Sequence, residues 1–248
     1  MSAYETFASV YDLFMEQVEY DEWLDHIHAV WKKYGITPKT ILDLGCGTGS
    51  ILLPLAQEGF DVIGVDLSPE MLTEADHKAM EAGVSVRLAC QDMTELDLGE
   101  QADCILSLCD CMNYLIEDGQ LESAFQSIAA HMKKESLFLF DMNTEYKFRE
   151  VLGQKVFGAA EEAAAYIWEN DYDEEEKINE YYVSFFIEQE SGLYERVEEY
   201  HYERAYSIEE IEQTLQAAGL ALLEVTDGYS FAKPQEKSER LLFVAKLK

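Results

Sequence analysis

The sequence predicts an α/β protein: a doubly wound, mostly parallel sheet that carries a small antiparallel β insertion. Three observations lead there. Strand-like and helix-like runs alternate from about residue 40 to 142 and again from 207 onward. A glycine-rich turn, "DLGCGTGS" at 43–50, joins the first strand to the first crossover. A tyrosine-rich, acidic stretch with loosely alternating polarity interrupts the rhythm between 161 and 212. Parallel strands need long crossovers, so repeated strand, helix, strand indicates a sheet covered on both faces.

Two helices are expected first. "YETFASVYDLFMEQ" spaces Phe7, Val10, Tyr11 and Phe14 at helical intervals, and "YDEWLDHIHAVWKKYG" does so with Trp23, Ile27, Val30 and Trp31. Together they make an N-terminal helical cap over 1–36, with Gly35 as its stop. Strands are expected at 40–45, 61–66, 84–89, 103–109 and 136–142, with helices from Gly49, from Ser68 and from Gln120 to Met132. Ser68 before Pro69 supplies a capping hydroxyl and then a residue whose missing N–H costs nothing at a helix start.

Residues 161–212 hold eighteen acidic and three basic side chains and eight of the fifteen tyrosines. Two long strands joined at Glu190-Ser191-Gly192 are expected there, preceded by "AAAYIWENDYD". A Ser207/Glu210 capping pair then opens a helix closed by Gly219, and "ALLEVTDGY" and "RLLFVAKLK" supply the last strands. The chain thus divides into the cap (1–36), a main domain (37–148 and 206–248) and a β insertion (149–205), the last expected to form a lid or a dimer surface.

Composition narrows the partners. Eighteen Lys and Arg against fifty Asp and Glu give a formal charge of −32, which repels phosphate backbones and anionic lipid. Nucleic acid is a disfavoured partner. No apolar run approaches the roughly 18 residues of a membrane span, and residues 1–17 lack the pattern of a secretory signal, so a cytoplasmic protein is expected. Five cysteines at 46, 90, 104, 109 and 111 lack paired C-x-x-C spacing; they read as reduced, buried thiols, and no metal is expected.

Four features carry chemistry. Gly45, Gly47 and Gly49 permit a sharp turn and close approach of a ligand, and a helix starting near Thr48 would aim N–H groups at it. A dinucleotide fingerprint would place the third glycine one residue later, and Asp43 just ahead of the turn suits positive charge better than pyrophosphate. Glycine-rich turns also serve simple strand-to-helix connections. Asp66 ends the second strand, where an acid can accept both hydroxyls of a ribose. Asp92 follows the third strand beside Met93, placed either to take an exocyclic amine or to stabilise a turn. "DCILSLCDCMNYL" ends its strand at Cys109-Asp110, so Asp110, Asn113 and Tyr114 would face reacting groups at the carboxyl edge of the sheet.

In order and spacing, "LDLGCGTG", "VIGVDLSPEML", "QDM" and "DCILSLCDCMNYL" resemble the motifs of class I S-adenosylmethionine-dependent methyltransferases. The opening helices and the β-rich insertion look like a YqeM-like bacterial branch, and are similar to sugar N,N-dimethyltransferases and glycine N-methyltransferase. The resemblance implies a seven-stranded Rossmann-like sheet with its last strand antiparallel, and S-adenosylmethionine as cofactor. It places Asp43, Gly45, Cys46 and Gly47 around the methionine portion, Asp66 on the ribose, and Leu67, Asp92 and Met93 around adenine. It puts Cys109 beside the amino acid moiety and Tyr11 over the cofactor; an ordinary core position for Tyr11 is the alternative.

The function so implied is methyl transfer to a small-molecule acceptor, with an amine suggested by the acidic insertion. Asp110 and Tyr114 are the candidates to face the acceptor, with Asn143 and His201 as further ones. A non-catalytic cofactor-binding regulator and an NAD-dependent oxidoreductase are the alternatives, and a homodimer through the insertion is a further expectation.

Overall fold

Hydrophobic alternation decides how the main sheet is covered. The computed structural model describes residues 11, 12, 15, 18–160, 164–189 and 191–248. Its main sheet contains β1 (Thr40–Leu44), β2 (Asp61–Asp66), β3 (Arg87–Cys90), β4 (Ala102–Ser107), β5 (Met132–Asn143), β10 (Leu220–Asp227) and β11 (Arg240–Leu247). The spatial order is β10-β11-β5-β4-β1-β2-β3, parallel except for β11, which runs antiparallel to both neighbours. Alternate residues serve opposite faces. Ile41, Val62, Leu106, Leu139 and Val244 pack toward α1 (Tyr20–Tyr34) and α2 (Leu52–Gln57). Leu42, Ile63, Ile105, Phe140 and Phe243 pack toward α4 (Gln120–Ala130) and α5 (Ile208–Ala217). On that side Phe138, Phe140 and Phe243 stack at 4.7 and 4.8 Å between centroids.

Local signals set the helix ends. Ser68 Oγ accepts from Met71 N at the start of α3 (Pro69–Ala82), which closes on left-handed Gly83. Ser207 and Glu210 form a reciprocal capping box at α5. Among the described residues, no helix is long and apolar enough to cross a bilayer.

A second, antiparallel sheet, β6-β7-β8-β9, leaves the carboxyl end of β5 and returns at Ser207. It comprises β6 (Val156–Ala160), β7 (Ala164–Asp173), β8 (Ile178–Glu188) and β9 (Tyr194–Arg204). Tyr181, Val183 and Phe185 on β8 cluster with Phe148 and Leu152 of a short π-helical turn, Lys147–Leu152. The opposite face carries exposed Ile167, Tyr200 and Tyr202. Because this sheet emerges where β5 ends, it overhangs the carboxyl edge of the main sheet, where ligands of open α/β folds bind.

Several expectations need correction. The helix expected near Thr48 begins only at Leu52, because Gly45, Gly47 and Gly49 are all left-handed and cannot join its first turn. The fourth strand stops at Ser107 rather than Cys109, since Cys109 and Asp110 have φ of 60° and 56°. The third strand starts at Arg87, after the chain has cleared Gly83. Strand β6 was not anticipated: "VFGAA" has no alternation to reveal it. Nor are all five thiols buried, for Cys90 is exposed. The expected first helix lies outside the described residues except at Tyr11, Asp12 and Met15, and so does Glu190 of the expected turn, whose Gly192 has φ of 76°.

Candidate functional site

Two cavities meet at the carboxyl edge of the main sheet. The smaller, about 40 Å³, is framed by Asp43, Gly45, Cys46, Gly47 and Thr48 and has room for a compact polar head group. The larger, about 420 Å³, lies under the second sheet. Tyr11 and Cys109 line both, so these two residues mark the junction.

Backbone geometry builds the small cavity. A Cβ on Gly45 would sit 2.3 Å from Cys111 Sγ, so the loop passes where no side chain fits. Gly47 N–H donates to Asp66 Oδ2 at 2.9 Å and Ser68 N–H to Oδ1 at 2.9 Å, which ties the tip of β2 to the glycine turn. Asp43 is 3 % exposed, and its Oδ2 has no hydrogen-bond partner among the described residues. Burial and then the neighbouring Asp66 push its carboxyl up to about 7. An unpartnered buried carboxylate oxygen on a small cavity is a fitting receptor for an ammonium.

Beside this cavity the chain leaves an open apolar shelf. Leu67 is 66 % exposed. Gln91 N–H donates to Asp66 O, which holds the segment after β3 alongside the tip of β2. Met93 is partly buried, and Asp92 Oδ1 accepts from both Thr94 N and Thr94 Oγ1 at 2.8 Å. Asp66, Leu67, Asp92 and Met93 thus lie together but border neither cavity. The cap reaches the glycine turn through Asp12, which accepts from Thr48 Oγ1 at 2.5 Å and pairs with Lys78.

Side chains build the large cavity. Arg240, at the start of β11, donates to Asp110 Oδ1 at 2.6 Å and to Asp141 Oδ1 at 2.8 Å, while Asp110 N–H also donates to Asp141 Oδ1 at 2.6 Å. Tyr229 caps the other Asp141 oxygen and stacks on Trp23 at 4.2 Å. This network clamps the left-handed Cys109-Asp110 pair, a conformation that costs ordinary residues about 1–3 kcal/mol each. Burial alone would lower the Arg240 guanidinium, but Asp141 and Asp110 outweigh it and drive it well above its ordinary range. Burial would likewise raise Asp110, yet Arg240 and then Lys147 hold it below the usual carboxylate range.

The overhanging sheet completes the walls. Glu203, 2 % exposed, accepts from Asn143 Nδ2 at 3.1 Å, and Lys147 Nζ donates to Asn143 Oδ1 at 2.8 Å. Burial and the adjacent Asp110 charge push Glu203 well above its ordinary range. Tyr166, Trp168, Tyr181 and Phe185 give the cavity an aromatic roof.

The structure therefore brings Tyr11, Asp43, Gly45, Cys46, Gly47 and Cys109 to one cavity, and Asp110, Tyr114, Asn143 and His201 to the other. Asn113 borders neither cavity. It is fully buried and pins strand ends, donating to Asn143 O at 3.1 Å and Arg204 O at 2.9 Å while accepting from Asn143 N. Sequence reasoning missed Arg240, Asp141, Glu203 and Lys147. A lone arginine opening an apolar strand and an aspartate closing one were the available signals; Glu203 was hidden in an acidic run.

Residues 41–135 match the family described as a methyltransferase domain. A chain from Geobacillus sp. (strain WCH70) is 38% identical over 244 residues, 98% of this chain and 99% of that one. YqeM of Bacillus subtilis (strain 168) is 36% identical over 243 residues, 98% and 96% of the two chains. An S-adenosylmethionine-dependent methyltransferase from Clostridium acetobutylicum ATCC 824 superposes with a TM-score of 0.89 at 36% identity over 98% of both chains. The sugar N-methyltransferase KedS8 from Streptoalloteichus sp. ATCC 53650 shares the fold, with a TM-score of 0.79 at 20% identity, covering 96% of this chain and 93% of that one.

Proposed function

The chain belongs to the S-adenosylmethionine-dependent methyltransferases, in their YqeM-like branch, and on that premise we propose that it methylates a small molecule at an amine. The observation that carries this reading is the large cavity itself. It is walled by aromatic rings, holds Asp110 and Glu203 side by side, and meets the glycine-turn cavity at Tyr11 and Cys109. Aromatic faces and carboxyl groups together favour a cationic or amine-bearing guest.

When bound, S-adenosylmethionine supplies a methyl group already activated on a sulfonium, so the protein's task is alignment and exclusion of water. Asp43 would receive the ammonium on its unpartnered oxygen, and Cys109 would lie beside the amino acid portion. Asp66, with each oxygen held by one backbone N–H, retains lone pairs for the ribose hydroxyls. Leu67 and Met93 would cover adenine, with Asp92 at its edge. Tyr11 would close the junction, while Asp110 and Glu203 hold the acceptor amine and Tyr114 faces it. A relative from Streptomyces venezuelae, named dTDP-3-amino-3,4,6-trideoxy-alpha-D-glucopyranose N,N-dimethyltransferase, supports an amine as acceptor; it is 30% identical over 128 residues.

The test is release of S-adenosylhomocysteine by the purified protein with amino sugars and small amines, against phenols, hydroxy acids and RNA. Turnover on amines is expected. Turnover confined to RNA or to non-amine acceptors would overturn the proposal.

A further inference from the structure

An acceptor amine arrives as an ammonium and must lose a proton before its lone pair can attack. Neither carboxyl group on the cavity wall suits that task. Asp110 is committed to Arg240 at 2.6 Å, and Glu203 is packed against it, 2 % exposed. Their partners already occupy them: Arg240 holds Asp110 below its ordinary range, and Glu203, held above its own by burial and the Asp110 charge, accepts from Asn143 Nδ2 at 3.1 Å.

A third group is in place. Tyr114, on the turn after β4, and His201, on β9, both line the large cavity. Tyr114 Oη lies 3.4 Å from His201 Nδ1, with the two rings edge to face. On the far side of the imidazole, His201 Nε2 lies 3.1 Å from Glu199 Oε2. The strand pleat produces this alignment, because Glu199, His201 and Glu203 occupy alternate positions on one face of β9. A carboxylate oxygen accepts, so it fixes the imidazole proton on Nε2 and leaves Nδ1 to accept from the phenol. Glu199 is 5 % exposed, and its other oxygen, Oε1, is buried without a hydrogen-bond partner among the described residues. A desolvated carboxylate in that state is best compensated by a positive charge forming on the imidazole.

We propose that Tyr114, His201 and Glu199 form a relay that takes the proton from the acceptor amine. The proposal rests on the reading of the large cavity as the amine site. The N–H bond of the ammonium breaks with its electron pair left on nitrogen, and the proton passes to Tyr114 Oη. The phenol proton passes in the same event to His201 Nδ1, so Tyr114 is unchanged, His201 becomes an imidazolium and Glu199 balances its charge. The freed nitrogen pair is the nucleophile. Glu199 acts only through His201 and is a positioning residue. Among the described residues, the other titratable and charged groups on this cavity are Glu203 on the same strand, Tyr181 opposite His201 on β8, Tyr166 on β7, and Tyr11, Cys109, Asp110, Lys147 and Arg240.

The experiment uses the full chain and an amine that the wild type methylates. Tyr114→Phe and His201→Ala should each lower kcat by about 10²–10⁴-fold, leaving the amine KM and S-adenosylhomocysteine affinity within about threefold. The double variant should lose no more than the worse single one, and added imidazole should restore part of the His201→Ala rate. Glu199→Gln should lower kcat less, again without moving KM. Full kcat in Tyr114→Phe or His201→Ala would overturn the relay while leaving the amine reading intact. A second arm needs no acceptor. Nitrogen-15 NMR of labelled histidine should show His201 protonated on Nε2, with that preference lost in Glu199→Ala, which removes the acceptor. A wild-type His201 protonated on Nδ1 would sink the relay whatever the acceptor proves to be.

Discussion

The two cavities sit side by side yet are made differently. The glycine-turn cavity is made largely of backbone: three left-handed glycines and two N–H groups on Asp66, beside an Asp43 oxygen that has no partner among the described residues. The cavity under the second sheet is made of side chains gathered from β5, β7, β8, β9, β11, the turn after β4, the π-helical turn, α1 and the residues before it. In the proposed function the first receives part of a cofactor whose chemistry is invariant, so its shape can be fixed in the main chain. The second is defined by groups that change with single substitutions, which is where a shared fold gains its own acceptor.

Removing the guanidinium that holds the second cavity together should produce the largest effect. Arg240→Ala leaves Asp110 and fully buried Asp141 without their shared cation, which costs about 3–5 kcal/mol of stability in urea unfolding. Arg240→Lys should recover only part, because one ammonium cannot fork to two carboxylates. A loss below about 1 kcal/mol would mean that the clamp is incidental to the fold.

Next comes the backbone-built cavity. Gly45→Ala forces a Cβ into a left-handed residue at 2.3 Å from Cys111 Sγ, so about 1–3 kcal/mol of strain is joined by a steric clash. Cys111→Ala in the same chain should relieve the worst of the clash, leaving the Cβ contact at 3.0 Å and the backbone strain. Gly47→Ala, with nothing within 4 Å of its added Cβ, should cost less than Gly45→Ala, about 1 kcal/mol, by the same unfolding measurement. Equal costs at the two positions would remove the claim that Cys111 shapes this loop.

The same contrast decides what could be read in the sequence. The glycine turn and the tip of β2 were legible because their constraint is local: a left-handed residue next to a strand end needs glycine wherever the chain goes afterwards. The two-faced strands and the Ser207 capping box were legible for a similar reason, since period and cap are properties of neighbours. Arg240 and its pairing with Asp110 were not, because the contact spans 130 residues and depends on β11 being inserted beside β5. Glu203 and Glu180 look alike in an acidic run, and only the register of β8 with β9 sends one under the roof and the other to solvent. Asn113 was misread for the same reason, as its partners Asn143 and Arg204 are distant in the chain.

Asp43 provides a smaller effect with a pH signature. The folded protein holds its proton up to about 7, whereas the unfolded chain releases it near the ordinary value of 3.8. Asp43 therefore stabilises the fold fully below that lower value, and the contribution is lost as the pH rises through about 7. An ammonium on Oδ2 favours the ionised form, so S-adenosylhomocysteine binding between those limits should release a proton. Calorimetry in buffers of different ionisation enthalpy measures it directly. Asp43→Asn should abolish the release, flatten the pH dependence of stability and weaken binding about tenfold, or 1.4 kcal/mol. Unchanged proton release in the variant would assign the titration elsewhere.

The finest test compares two adjacent tyrosines. Tyr181 and Tyr182 are consecutive on β8, so the pleat sends them to opposite faces. Tyr181 is 6 % exposed, lines the large cavity, and is driven well above its ordinary range by burial and then by Glu203 and Asp110. Tyr182 lies on the solvent face, donating to Glu198 Oε1 at 2.6 Å and packing on Tyr200 at 4.9 Å. Tyr181→Phe deletes a hydroxyl that faces Glu203 and Asp110; if these hold the acceptor as proposed, the loss of about 1 kcal/mol should appear as a several-fold rise in the amine KM. Tyr182→Phe should leave KM and kcat within about twofold of the wild type. If both variants shifted KM alike, the effect would come from the sheet as a whole. A response confined to Tyr181 makes one face of that sheet the acceptor wall and leaves the other to water.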